Sequence, residues 1–397
     1  MDLRAGRQWI AFAALAWTAL AVGIGIHAAL YPQTHTVYDI YSLAARNWWA
    51  GNDLYVGGHE HYRYSPLFAI AITPLALLPD WCGTPLWKVG NIVLYALAVR
   101  AFARQVLPAS LTRQQIGALF LLVLPLSVHS MQIGQANLTV VSACLFALSA
   151  ALAGGWNTAA LCVAAATLIK GYPLALGLLL IALYPRRFGG RFLVALAIGL
   201  LAPFAAGAPS RVMAQNISWL RHLRDSTVIM RERLRSIDHL FEVFGQPLTP
   251  SAFALLGLVA GSAVLALCVY EAWRSSDGRQ LLTRVFLLFA SWVVLFGPAT
   301  ETCTYVMVAP AIAWSVIDAY RRPTSRLAQG LLIASLIMMG PLVTDAFGGA
   351  IRNFAGTHGS QPIGALLYLA YLLGSTRRSS VSTAQETPTA QAAGLAA

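Results

Sequence analysis

Charge is scarce in these 397 residues: Asp, Glu, Lys and Arg together make up 11%, against about 25% in an ordinary soluble domain. With 58% of the chain hydrophobic, too little polar surface is left to cover a water-soluble fold. Lysine is nearly missing, with Lys88 and Lys170 standing alone among 27 cations. The five cysteines, Cys82, Cys144, Cys162, Cys268 and Cys303, show no metal-pair spacing. There is no glycine-rich phosphate loop, no zinc-type histidine motif and no Ser-His-Asp arrangement. His59 and His61 stand close together in a glycine-containing loop and read as loop polarity. The missing strand-length alternation excludes an outer-membrane barrel. The missing internal repeat weighs against inverted-repeat transporters.

What is present in quantity is long apolar sequence. Trp9 to Leu30 contains no acid, Lys or Arg, and Phe253 to Tyr270 and Leu327 to Thr344 are similar. Such runs suffice to cross a hydrocarbon core of ~30 Å, and helices are the only spanning structure left. The expected fold class is therefore an all-α integral membrane protein. The net charge of +12 is then better explained by the positive-inside rule than by a nucleic-acid partner.

Arginines draw the topology. Arg4 and Arg7 hold the N-terminus in the cytoplasm, as do the turns at Arg100 to Arg113, Arg186 to Arg191, Arg274 to Arg284, Arg321 to Arg326 and Arg377 to Arg378. About twelve crossings result, with both termini inside. Pro66 to Pro79, at 14 residues, is read as a re-entrant or interfacial piece, because counting it as a crossing would invert every later basic turn. The crossings at about 156–170 and 171–184 are short enough to surround a water-filled cavity. Residues 1–375 form one membrane domain with exterior segments at about 32–84 and 209–249. Residues 376–397, rich in Ser, Thr, Ala and Gln, are expected to be a disordered cytoplasmic tail.

Several exterior residues are candidates for chemistry. Ile40, Leu43, Ala44 and Trp48 recur at helical spacing, with Trp48 and Trp49 suited to a headgroup interface and Gly51-Asn52 as the stop. Asp39 starts this helix. It either complements the positive helix end or serves as a general base at the membrane surface. The second exterior segment carries Arg211, Arg221, Arg224, Arg231, Arg233 and Arg235, against the positive-inside trend. Nearby acids such as Asp225, Glu232, Asp238 and Glu242 can pair with some of them; the rest suit a phosphate. Lys170 in LIKGYP either snorkels from a helix end or marks a functional site, as does Glu301 in GPATETCTY. With the GQAN turn at Gly134 to Asn137, these segments share one expected face and hence one cavity.

The order DIY…AARNWWAGNDLY…YRYSPLFAIAITPLALLP, then GQANLT, LIKGYPL and GPATETCTYVMVAP resembles glycosyltransferase family 87 within the GT-C superfamily of membrane glycosyltransferases. The resemblance covers roughly residues 10 to 320. It implies a GT-C-type helical bundle and transfer of a sugar, mannose above all, from a polyprenyl-phosphate donor to a glycolipid or glycan acceptor outside the cytoplasm. It implies that Asp39 is the catalytic carboxylate. It matches Gly134, Gln135 and Asn137 to a GQ-x-N turn and Lys170 and Pro173 to a Lys-x-x-Pro motif. In the late motif, Pro298 and Tyr305 fit, but a histidine is replaced near Cys303 or Thr304, and Glu301 is the candidate substitute. Tyr64 in YRYSPLF, with Arg221, Arg224 and Arg231, completes the expected binding set. No cofactor and no metal are expected, because cationic side chains stabilise the departing phosphate. The expected location is the bacterial inner membrane. The competing expectation is a transporter or flippase of a lipid-linked or anionic solute.

Overall fold

The computed structural model describes residues 3–55, 62–229, 234–322 and 324–385, and no strand occurs among them. In chain order the first helices are α1 (Leu3–Leu30), α2 (Tyr38–Ala50), α3 (Pro66–Ala76), α4 (Asp80–Gln105), α5 (Arg113–Val123) and α6 (Val128–Ile133). There follow α7 (Asn137–Leu152), α8 (Trp156–Ile169), α9 (Leu174–Leu183), α10 (Gly190–Leu201), α11 (Pro209–Ile229) and α12 (Ile237–Val243). The chain continues with α13 (Pro250–Arg274), α14 (Gly278–Phe296), α15 (Ala309–Arg321), α16 (Arg326–Met339), α17 (Gly349–Thr357) and α18 (Ser360–Gln385). Local chemistry sets many of these ends. Thr112 and Gln115 form a capping box at the start of α5, and the side chains of Thr249 and Ser325 accept from Ala252 N and Ala328 N to cap α13 and α16. As the sequence indicates, α2 stops at Gly51, whose φ of 85° lies in the left-handed region.

Six helical segments among the described residues are long and apolar enough to cross a membrane: Gly6–Leu30, Asp80–Gln105, Pro185–Ala205, Pro250–Arg274, Gly278–Phe296 and Arg326–Val343. Five apolar helices are shorter, and a count of about twelve crossings would draw on them too. The outer helices display what a lipid-facing surface requires. Phe12, Leu15 and Ile26 of α1, Leu193 and Ile198 of α10, and Leu255 and Leu258 of α13 are all exposed, a coverage of apolar side chains that water would not tolerate. The chain is an all-helical membrane protein. α3, with 11 residues, is about 16 Å long and too short to cross.

The main core is built from α4, α5, α7, α8, α14 and α15, with residues such as Phe102, Val141, Leu148, Val163, Phe286 and Ile312 fully enclosed. α1 closes on α5 across Gly117, where an added Cβ would stand 2.6 Å from the Trp9 backbone. A second, aromatic core gathers Tyr38, Tyr41, Trp48, Tyr55, Tyr62, Tyr64, Phe68 and Trp87 between α2, α3 and α4. This core changes one expectation. Trp48 is wholly buried, while Leu43 is exposed. The buried face of α2 runs through Tyr38, Tyr41, Ala44, Ala45 and Trp48, with Ile40 partly buried against the same core, so that tyrosines take the inward place expected of Leu43. Only Trp49 keeps the exposed position expected of an interfacial aromatic. α18 extends to Gln385, into the stretch expected as a tail; residues 386–397 lie outside the described residues.

Candidate active site

The turn at 134–137 ties four distant segments together. Gly134 ends α6 with a φ of 68°, which favours glycine. Its α-carbon lies against Lys88, so that an added Cβ would meet Lys88 Cγ at 3.0 Å. Its carbonyl accepts from Trp87 Nε1 at 2.7 Å. The next residue, Gln135, is buried, and its Oε1 accepts from Tyr41 OH at 2.9 Å and Tyr64 OH at 2.7 Å. The two hydroxyls also lie 2.8 Å apart. Asn137 Oδ1 accepts from Tyr172 OH at 3.1 Å, and its Nδ2 donates to Cys303 Sγ at 3.5 Å. Thus the GQAN turn, the YRYSPLF segment, the LIKGYP segment and the GPATETCTY segment meet.

Charge gathers on the open side of this junction. Lys170 ends α8 in an extended conformation, and its Nζ stands 5.8 Å from the centre of the Tyr64 ring. Arg63 Nη1 is 3.6 Å from Glu301 Oε1, and Cys303 Sγ donates to Glu301 Oε2 at 3.5 Å. Glu301 also caps the short 3-10 turn Thr302–Met307. Arg235 is fixed through its backbone, its N–H donating to Thr300 O at 2.7 Å while its carbonyl accepts from Tyr305 OH at 2.8 Å. Glu301 lies within electrostatic reach of Lys170 and Arg235 as well as Arg63. A cavity of about 210 Å³ opens here, lined by His129, Ile133, Arg235, Glu301, Thr302 and Cys303. Burial pushes the Lys170 ammonium below the ordinary lysine value; the neighbouring Cys303 and Glu301 oppose that and Arg63 adds to it. Burial likewise pushes the Tyr41 and Tyr64 hydroxyls and the Cys303 thiol up, so all three keep their protons.

Backbone strain marks the same region. His35 and Ala299 have φ of 48° and 54°, sparsely populated values for residues with a side chain. The carbonyl of His35 accepts from Lys88 Nζ at 3.0 Å. Ala299 sits two residues before Glu301, in a turn held by Thr300 Oγ1 donating to Val293 O at 2.9 Å.

The expected site residues divide. Tyr64, Gln135, Asn137, Lys170 and Glu301 come together as described. Tyr305 is buried and touches the site through the Arg235 carbonyl. Asp39 is exposed in the first turn of α2, where its Oδ1 accepts from Ile40 N at 2.9 Å. Its carboxylate is within electrostatic reach of Lys88. Two residues earlier, Val37 N donates to the carbonyl of the cavity-lining Ile133 at 2.9 Å. Arg221 and Arg224 are exposed on α11, and α11 meets the site with other side chains. Arg211 bonds the Trp48 carbonyl and stands 5.0 Å from the Trp48 ring. Trp219 Nε1 donates to Arg63 O at 3.2 Å. Arg231, Glu232, Arg233, His59 and His61 lie outside the described residues.

Arg63, His129, Tyr41, Tyr172 and Lys88 were not singled out from the sequence. A signal existed for two: Arg63 adjoins Tyr64 inside YRYSPLF, and Lys88 is a lysine within an apolar run. Nothing in the local sequence marks His129.

The sequence profile of glycosyltransferase family 87 matches residues 62–298, more than half of the chain. Arg63, Tyr64, Gln135, Asn137, Lys170 and Arg235 fall inside the match; Asp39, Glu301 and Tyr305 fall outside it. No curated protein matches the chain significantly.

Proposed function

Because the chain belongs to glycosyltransferase family 87, we propose that it moves a sugar, mannose in the first instance, from a polyprenyl-phosphate donor to a glycolipid or glycan acceptor. The observation that carries this is the cluster of Arg63, Lys170 and Arg235 around Glu301 beside a cavity in a membrane protein. Cationic side chains gathered beside a cavity suit the phosphate of a lipid-linked donor. Trp49, exposed at the end of α2, offers an apolar surface on which a prenyl chain can lie.

In the chemical step the acceptor hydroxyl oxygen attacks the anomeric carbon of the donor. The bond from that carbon to the phosphate oxygen breaks, and its electron pair stays on the phosphate. A single displacement of this kind inverts the anomeric configuration. Asp39 takes the hydroxyl proton; its exposed place at the start of α2, joined to the cavity by the Val37 to Ile133 hydrogen bond, supports that role. Lys170 and Arg63 counter the charge that grows on the departing phosphate. Glu301 holds Arg63 and, by its charge, favours the protonated form of Lys170 against burial. Arg221, Arg224 and Arg231 belong to the approach of the anionic headgroup rather than to the reacting atoms. The cytoplasmic bias of the arginines supports an extracytoplasmic active site in the bacterial inner membrane with both termini inside.

A transporter or flippase would need neither a general base nor product formation. The test uses membranes containing the protein, supplied with radiolabelled polyprenyl-phosphate-mannose, and compares wild type with Asp39→Asn at equal expression. Transfer by the wild type with loss in the variant is expected. Equal transfer by both removes Asp39 from the chemistry, and retention of lipid binding without any product favours transport.

A further inference from the structure

A second and much larger cavity, about 830 Å³, adjoins the first: His129, Arg235 and Thr302 line both. Its volume lies in the upper part of the range for small-ligand sites, roughly 300–1,000 Å³. The far wall comes from residues 341–357, a stretch of short turns and α17 that stands between α16 and α18. That wall lies wholly beyond the residues matched by the family profile.

The lining is of two kinds. Leu124, Pro125, Val128 and Val343 give apolar patches, whereas Gln132, Thr302, Thr344, Asn353 and Thr357 give amide and hydroxyl groups. Three charged side chains complete it, and two of them pair, Arg352 Nη1 standing 2.8 Å from Asp345 Oδ1. A hydrocarbon chain placed here would strip water from the exposed Gln132 and Asn353 amides and from the Arg352–Asp345 pair without replacing their hydrogen bonds, which is unfavourable. A simple anion would meet the Asp345 carboxylate. A saccharide satisfies both kinds of lining, because its hydroxyls match the amides and hydroxyls while its C–H faces lie on Leu, Pro and Val. Resting on the glycosyltransferase reading, we propose that this cavity is the acceptor subsite, that it admits the hydroxyl-rich saccharide head of the acceptor, and that residues 341–357 select which saccharide enters.

The cavity leads directly to Glu301 and Cys303 through the shared residues, so an acceptor lying in it presents a hydroxyl toward the cation cluster. Gln132 and Asn353 are exposed in the cavity wall, outside the packed core, and are suited to substitution.

The test is made on purified full-length protein in detergent. Binding of octyl mannoside is measured as the saccharide probe, and of farnesyl phosphate as the donor-like probe, for wild type, Gln132→Leu and Asn353→Leu, with melting temperatures as the check on folding. Each lost hydrogen bond should weaken octyl mannoside binding by roughly 3- to 10-fold, with farnesyl phosphate binding and melting temperature unchanged. Weaker farnesyl phosphate binding instead would assign the cavity to the prenyl chain and overturn the proposal. Unchanged octyl mannoside binding, or no saturable binding to the wild type, would also overturn it. Transfer assays separate the two layers. If the wild type transfers sugar but the variants keep the wild-type acceptor KM, the subsite fails and the enzyme stands. If octyl mannoside binding follows the variants yet no donor supports transfer, the subsite stands and the transferase reading fails.

Discussion

Replacing Lys170 with methionine separates catalysis from stability. In the folded protein burial disfavours the Lys170 ammonium and lowers its pKa. The sign then follows: below that lowered value the buried charge opposes folding in full, and the opposition vanishes as pH rises to the ordinary lysine value of 10.5. Against this, the ammonium gains a contact with the Tyr64 ring at 5.8 Å, near the outer limit of such contacts and worth about 0.5 kcal/mol, and the attraction of Glu301, which burial outweighs. Lys170→Met keeps the apolar stem and removes the charge, so at neutral pH the variant should melt no lower than wild type. Activity should move the other way. A full charge about 4 Å from a phosphate oxygen, at an effective dielectric near 20, corresponds to about 4 kcal/mol. Removing one such stabiliser costs about 10²- to 10³-fold in kcat. The assay is transfer from radiolabelled donor in detergent, alongside melting by intrinsic fluorescence. A kcat within threefold of wild type would refute the assignment of Lys170 to the leaving phosphate. Loss of activity with a lowered melting temperature would refute the claim that its charge is held at the expense of stability.

Three further outcomes are expected. The pH profile of kcat/KM should fall on its alkaline side below the ordinary lysine value, since Lys170 must be protonated and its pKa is lowered; Lys170→Arg should move that limb to higher pH. Gln135→Ala leaves Tyr41 and Tyr64 to share one hydrogen bond and strands a buried hydroxyl proton, so stability measured by denaturation should fall by about 1–3 kcal/mol; Gln135→Met, equally without the acceptor, should do no better. Gly117→Ala forces a methyl group against the Trp9 backbone and should lower stability by about 1–3 kcal/mol, read as a lower melting temperature without a change in donor KM.

The helical membrane fold was readable because its causes are local: unbroken apolar runs and the left-handed stop at Gly51. The meeting of the GQAN, LIKGYP and GPATETCTY segments was also readable, since arginine-anchored topology put them on one face. What escaped was partner choice at long range. Arg63 sits beside the singled-out Tyr64, yet its value arises from Glu301, far along the chain. Arg211 and Arg235 looked like their neighbours Arg221 and Arg224, but only packing decides that Arg211 rests on Trp48 and that Arg235 is pinned by Thr300 and Tyr305. Of the expected face of α2, Leu43 was misplaced, because tyrosine is both apolar and hydrogen-bonding. Tyr38 and Tyr41 therefore turn inward, which an aliphatic count does not register.

The hydrogen bonds around the GQAN turn also impose an order of events on the ribosome and the insertion machinery. Lys88, Trp87 and Gly134 are synthesised close together and find one another early. Ser130 and Asn137, by contrast, wait for the Cys303 segment, 173 and 166 residues later. Until then Arg63 lacks Glu301, and the pocket that Glu301 completes is unfinished. The cavity lined by both Arg235 and Glu301 therefore exists only once the chain has been made through the Cys303 segment.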